Sequence, residues 1–261
     1  MSQAPIGVFD SGVGGLSVLS ALRADLPAEN FVYFSDAGHA PYGERGDPFV
    51  IERSVSIARR LVDEHGIKCL VVACNTATAA GIALLRAAYP ELPIVGVEPA
   101  LKPAAAATRT GRVGVLATRG TLASPKFKAL HDALQSDQVR FSLMPCDGLA
   151  SAIERLDTAA VQLLAAQYVG GLGRFGQQPG DIDTLVLGCT HYPFVAPDLR
   201  RLAGHEVRLI ETGQPVAQQT RRLLAAKGQL AAESAAGSLQ LVTSGDAQAL
   251  NAAAARWLQA A

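Results

Sequence analysis

The chain has 261 residues, and Lys plus Arg and Asp plus Glu both count 23, so the formal net charge is zero. That length suits one large domain or two ordinary ones, each with a real core, and neutrality leaves no basic footprint for nucleic acid or anionic lipid. The N-terminus has neither a charged nor an apolar leader region and no segment reaches the length of a membrane span, so a cytoplasmic protein is expected.

In chain order, Ile6 to Phe9 is a short apolar strand ending at Asp10-Ser11-Gly12-Val13-Gly14-Gly15, after which Leu16, Val18, Leu19 and Leu22 fall at helical spacing. Phe31 to Phe34 is the next strand and ends at Ser35-Asp36. Asp47-Pro48 predicts an N-cap and first helical residue for a helix running to about Glu64. Cys69 to Val72 forms a strand that opens at Cys74 into a helix through Leu85, and Ile94 to Val97 follows. Strands alternating with helices imply parallel sheets whose loops gather at the carboxyl ends.

The same grammar then repeats after roughly one hundred residues. Ile6 to Ser11 is answered by Val113 to Thr118, Phe31 to Asp36 by Phe141 to Asp147, Val71 to Asn75 by Val186 to Thr190, and Val95 to Glu98 by Leu209 to Glu211. Any two α/β segments share short apolar strands, but here a Cys stands at the same strand end in both halves. Gly170 to Gly180 predicts a surface loop. Gln214 to Ala226 predicts a helix, Leu239 to Thr243 a late strand and Ala247 to Leu258 a final helix that return to the first half. The expected fold is therefore α/β, with two similar pseudo-symmetric domains, 1–99 plus 210–261 and 100–209. Each is a short, mostly parallel sheet flanked by helices, with an active site in the cleft between them.

The four cysteines, Cys69, Cys74, Cys146 and Cys189, lack zinc-module spacing and disulfide-scaffold density, and are expected as free thiols. Cys69 fits a small buried hydrophobe, and Cys146 leans the same way. Cys74 and Cys189 stand at strand-to-helix turns, where helix-terminal N–H groups stabilise thiolate and lower its pKa. Zinc held by Cys74, Cys189 and His191 lacks a fourth protein ligand. Asp10-Ser-Gly-Val-Gly-Gly15 misses the third glycine of a dinucleotide fingerprint, where Ser17 stands. Its bare amides suit a small carboxylate, with Asp10 either capping the helix or contacting an ammonium.

Removing a proton from one face of a carbon and returning one to the other face needs two groups, each able to act as acid or base, and a duplicated half supplies them. A racemase or epimerase requires such a pair. None of the lysines sits in a strand-end motif where a Schiff base to pyridoxal phosphate is expected, so the reading is cofactor-free.

Phe9-Asp-Ser-Gly-Val-Gly-Gly-Leu16, Pro41-Tyr-Gly43, Ala73-Cys-Asn-Thr-Ala-Thr78, Gly96-Val-Glu-Pro99, Gly114-Val-Leu-Ala-Thr118 and Leu187-Gly-Cys-Thr-His-Tyr-Pro193 together resemble the bacterial glutamate racemases, in that family's order. The resemblance implies interconversion of L- and D-glutamate for peptidoglycan, without pyridoxal phosphate or metal, by a homodimer. It implies Cys74 as base for D-glutamate and Cys189 as base for L-glutamate. Asp10 would assist Cys74, with His191 and Glu154 assisting Cys189. It further implies Asp10, Ser11, Pro41, Tyr42, Gly43, Asn75, Thr76, Thr118, Thr121, Thr190 and His191 as substrate contacts. Glu154 is matched through the looser Cys146 to Glu154 stretch, and otherwise reads as a solvated helix residue. A related racemase, for aspartate, and a non-catalytic anion-binding protein are the alternatives.

Overall fold

The apolar runs Ile6–Asp10, Phe31–Ser35, Cys69–Val72 and Thr184–Gly188 form strands buried on both faces, as the interior of a parallel sheet requires. The computed structural model describes residues 2–258. One unit runs to Val97 and resumes at Gly213; the other is Glu98–Thr212. In the first, β1 (Ile6–Asp10), α1 (Leu16–Asp25), β2 (Phe31–Ser35), α2 (Asp47–His65), β3 (Cys69–Val72), α3 (Asn75–Ala88) and β4 (Ile94–Gly96) follow in order. The second holds α4 (Leu101–Ala107), β5 (Arg112–Ala117), α5 (Arg119–Ala123), α6 (Pro125–Leu134), β6 (Arg140–Pro145), α7 (Leu149–Glu154), α8 (Thr158–Leu172), β7 (Thr184–Gly188), α9 (Ala196–Ala203) and β8 (Arg208–Ile210). The chain then returns to the first unit with α10 (Gly213–Ala226), β9 (Leu239–Thr243) and α11 (Ala247–Trp257).

Both sheets are parallel throughout. Their orders are β4-β3-β1-β2-β9 and β8-β7-β5-β6, so the first four strands of each unit occupy equivalent places and β9 is an addition to one. The register decides what meets at the carboxyl ends. Phe9 lies opposite both Phe34 and Val72, which brings Asp10, Asp36 and Cys74 just past one edge. In the second unit Ala117 lies opposite Pro145 and Gly188, so Thr118, Cys146 and Cys189 each stand one residue beyond.

Two local expectations are corrected. Gly46, in extended conformation, is the N-cap of α2, and Asp47 is already helical with Pro48 in the first turn; a proline there loses no helical hydrogen bond. Gly170 and Gly171 belong to the end of α8, and the irregular stretch begins at Gly173. The apolar stripe of Val161, Ala165, Tyr168, Val169 and Leu172 packs that helix on the core and carries the two glycines along, overriding their weak propensity.

At the amino end of the first sheet a buried ion pair ties the returning chain down. Lys68 Nζ lies 2.5 Å from Glu29 Oε2, both side chains being 2% exposed. Lys68 also donates to the carbonyls of Ser2 at 2.7 Å and Gln229 at 2.9 Å, and Glu29 accepts from the Ala231 N–H at 2.8 Å. The α10–β9 connection is thereby pinned beneath β2 and β3. Replacing Lys68 by Ala strands the Glu29 carboxylate and is expected to cost roughly 3–5 kcal/mol. Thermal unfolding measures the loss, and an unchanged midpoint would contradict it.

Candidate active site

In the first unit the thiol of Cys74 is the N-cap of α3, and its Sγ accepts from the Ala77 N–H at 3.5 Å. The S–H points to Ser11 Oγ at 3.8 Å. Asp10 is fully buried and accepts from the Gly15 N–H at 2.8 Å. Gly15 has to be glycine, since a Cβ there would lie 2.6 Å from Asp10 Cβ.

The turn at Cys74 is a helix N-terminus as expected, but the thiol is not acidified. Burial and then the neighbouring Asp10 charge push its pKa well above the ordinary value, outweighing the Ala77 N–H and Ser11. Cys74 is therefore held as a neutral thiol at neutral pH.

Next to it Asn75 is 4% exposed, and neither its Oδ1 nor its Nδ2 has a hydrogen-bond partner within the protein. A buried polar group left so costs about 1–3 kcal/mol, a cost that a polar ligand removes. Ser11 and Thr76 are buried beside these residues in sequence, and the half-buried Pro41 and Gly43 flank the buried Tyr42.

Tyr42 is fixed from below. Its hydroxyl donates to Asp36 Oδ2 at 2.5 Å, and the Arg53 guanidinium forks onto both oxygens of that carboxylate, at 2.9 Å each. His39 Nδ1 lies 3.0 Å from Asp36 Oδ1. Burial acts to raise the pKa of Asp36, but the bonds from Arg53, Tyr42 and Ser244 prevail and hold it below the usual carboxylate value. Burial and the Asp36 charge push the Tyr42 phenol up. Sequence reasoning placed Asp36 at a strand end and went no further. Arg53 lies in mid-helix and Ser244 over two hundred residues away, with no motif to signal either.

In the second unit Cys189 lacks the helix that Cys74 has. A short 3₁₀ turn, Tyr192–Val195, follows it, with too few aligned peptides to make a strong dipole. Its polar neighbour is instead His191, whose Nδ1 lies 3.7 Å from Cys189 Sγ. His191 Nε2 lies 2.6 Å from Glu154 Oε2 at the end of α7. Glu154 is thus the outer member of a thiol–imidazole–carboxylate line, and not merely a solvated helix residue.

Burial works to lower the His191 pKa, but its bonds to Cys189 and Glu154 outweigh that and raise it well above the ordinary value. Thr118 caps α5 and donates to Thr121 Oγ1 at 2.9 Å, and Thr190 is buried next to Cys189.

Each sheet thus carries at its carboxyl end a thiol with a distinct ionisable neighbour, Asp10 for Cys74 and His191 for Cys189. Cys69 and Cys146 are buried thiols, both pushed up to about 12, chiefly by burial. Among the described residues no group of three or more His, Cys, Asp or Glu could hold a metal ion, and no helix is long and apolar enough to cross a membrane.

A raised His191 pKa predicts that the imidazolium persists above about pH 6.5, the ordinary histidine value. Its contribution to stability is full below that pH and is lost as pH rises through the folded-state value. Ring 15N shifts followed against pH report it, and Glu154→Gln should move the titration downward. Titration of His191 at or below 6.5 would contradict the arrangement.

The profile of the Asp/Glu/Hydantoin racemase family matches residues 15–220. A glutamate racemase of Ectopseudomonas mendocina is 53% identical over 253 residues, 96% of this chain and 93% of that protein. Among solved structures, a glutamate racemase isoform of Bacillus anthracis superposes with a TM-score of 0.85 at 34% identity, covering 99% of this chain and 95% of that one. The Escherichia coli glutamate racemase, solved with L-glutamate and an activator, superposes with a TM-score of 0.80 at 30% identity over 97% and 95% of the two chains. With the profile spanning both units and the relatives nearly the whole length, the chain belongs to the Asp/Glu/Hydantoin racemase family, with glutamate racemases as its relatives.

Proposed function

We propose that the chain is an isomerase that interconverts L- and D-glutamate by proton transfer between two thiols, Cys74 and Cys189, and so supplies D-glutamate for peptidoglycan. The observation that carries this reading is the pair of thiols at the carboxyl ends of β3 and β7, equivalent strands of two sheets with the same order. The Escherichia coli relative binds L-glutamate, and the two unpartnered amide atoms of Asn75 suit a ligand with charged polar ends.

The two thiols have different partners. The Asp10 carboxylate favours the neutral thiol at Cys74, and Cys189 stands beside the imidazole of His191. Cys189 takes the α-proton of L-glutamate, forming S–H as the Cα–H bond breaks. The electron pair passes into the α-carboxylate. Cys74 delivers its proton to the opposite face and becomes thiolate, giving D-glutamate, and the reverse sequence runs from D-glutamate.

Ser11, Tyr42, Gly43, Asn75 and Thr76 in one unit, and Thr118, Thr121 and Thr190 in the other, hold the carboxylates and ammonium. Fixed donors and placement together have to supply on the order of 10 kcal/mol of barrier reduction. We place this reaction in the cytoplasm and assign it to a homodimer, which light scattering on the purified protein tests.

Proton NMR in deuterated water tests the reading. Both glutamate enantiomers should lose the α-proton signal and aspartate should not; retention of the signal in both glutamates would sink it. Cys74→Ser and Cys189→Ser should each lower racemisation by at least about 100-fold, the usual scale of lost acid–base catalysis, with circular dichroism unchanged. Full activity in either variant removes that thiol from the mechanism.

A further inference from the structure

The duplicated units differ at one edge. The second sheet ends at β6, the counterpart of β2, whereas the first continues past β2 with β9. The end of β9 leads into Ser244, whose N–H donates to the Ser35 carbonyl at 3.0 Å and whose Oγ accepts from the Gly38 N–H at 3.1 Å. Ser244 thereby clasps the backbone on both sides of Asp36, and its hydroxyl favours the charged carboxylate. The contact is close enough that a Cβ on Gly38 would lie 2.7 Å from the Ser244 carbonyl oxygen. From the other side Arg53, on α2, takes one position on each Asp36 oxygen, which leaves Oδ2 aligned for the Tyr42 hydroxyl.

We infer that Arg53 and Ser244 are positioning residues for substrate binding. Through Asp36 they hold Tyr42, and with it the Pro41–Tyr42–Gly43 loop, beside Cys74. The appended strand β9 is then the brace that the substrate loop of this unit rests on. This rests on the reading of that loop as a glutamate contact. Neither residue touches the reacting atoms. The carboxylate is the hub: it is fully buried, it has two oxygens, and Arg53 fixes the orientation of both. Without the fork, Asp36 is free to rotate or to take up a proton, and the hydroxyl of Tyr42 loses its fixed acceptor.

A loop that contacts bound glutamate equally before and during the reaction contributes uniform binding, so its loss shows in KM and not in kcat. Arg53→Gln is expected to raise KM for glutamate roughly tenfold, about 1.4 kcal/mol, with kcat within about threefold of the unsubstituted enzyme. Arg53→Lys keeps the charge without the fork and should recover part of the loss. Tyr42→Phe should raise KM similarly, and Arg53→Gln should add little on top of it, because both act through one contact.

Gly38→Ala, at an exposed position, should raise KM several-fold by pushing the loop off Ser244. If Arg53→Gln fails to fold by circular dichroism, Gly38→Ala decides: a raised KM supports the brace and an unchanged KM overturns it. An unsubstituted enzyme without glutamate exchange removes the underlying reading. An active one in which Arg53→Gln leaves KM unchanged, lowers kcat alone, or adds fully to Tyr42→Phe overturns the inference itself.

Discussion

The chemistry of this chain depends on the register of two parallel sheets. Parallel pairing sets the strand ends level, so that residues far apart in sequence finish at one edge. Phe9 beside Phe34 and Val72 brings Asp10, Asp36 and Cys74 together, and Ala117 between Pro145 and Gly188 brings together Thr118, Cys146 and Cys189. A slip of one residue in either sheet would turn the strand side chains to the opposite face and carry the thiols out of these positions.

Duplication supplies two equivalent places for a thiol, and local electrostatics make them unlike. Cys74 has the helix N-terminus that ordinarily stabilises thiolate, yet it is enclosed by apolar residues and faces a buried carboxylate. Desolvation acts on the whole charge of a thiolate, whereas one N–H at 3.5 Å offers a weak hydrogen bond, so burial wins. Cys189 has no such helix, but it has an imidazole backed by Glu154. Proton transfer across a carbon needs one donor and one acceptor at the same moment. In the proposed reaction the two thiols take these roles in turn, each beside a different partner.

The two units also depart from each other at the sheet edge. In the first unit the polypeptide returns after the second is complete, and the returning segment is pinned at one end by the buried Lys68–Glu29 pair and at the other by Ser244 on the loop after β2. Their bonds to the returning chain join residues 161, 202 and 206 positions apart. They bind the C-terminal stretch into the unit that carries Cys74, and they make the geometry of the Tyr42 loop depend on the last strand of the chain.

The sequence by itself determined the alternation of strands and helices, the repeat and the two strand-end thiols, because apolar runs bounded by glycine and polar turns are local signals. β3 begins and ends where the apolar run Cys69 to Val72 does. The same reasoning misjudged Gly170 and Gly171, since only packing of α8 against the core makes those glycines helical. It recognised Cys74 at a helix start but not the sign of its pKa shift, because burial and the Asp10 charge come from elements that meet it only in three dimensions. Glu154 was matched loosely and gained a partner only when α7 met the turn after β7. Arg53 and Ser244 left no trace in the sequence, for a fork on a buried carboxylate and a brace from a distant strand are properties of tertiary contact alone.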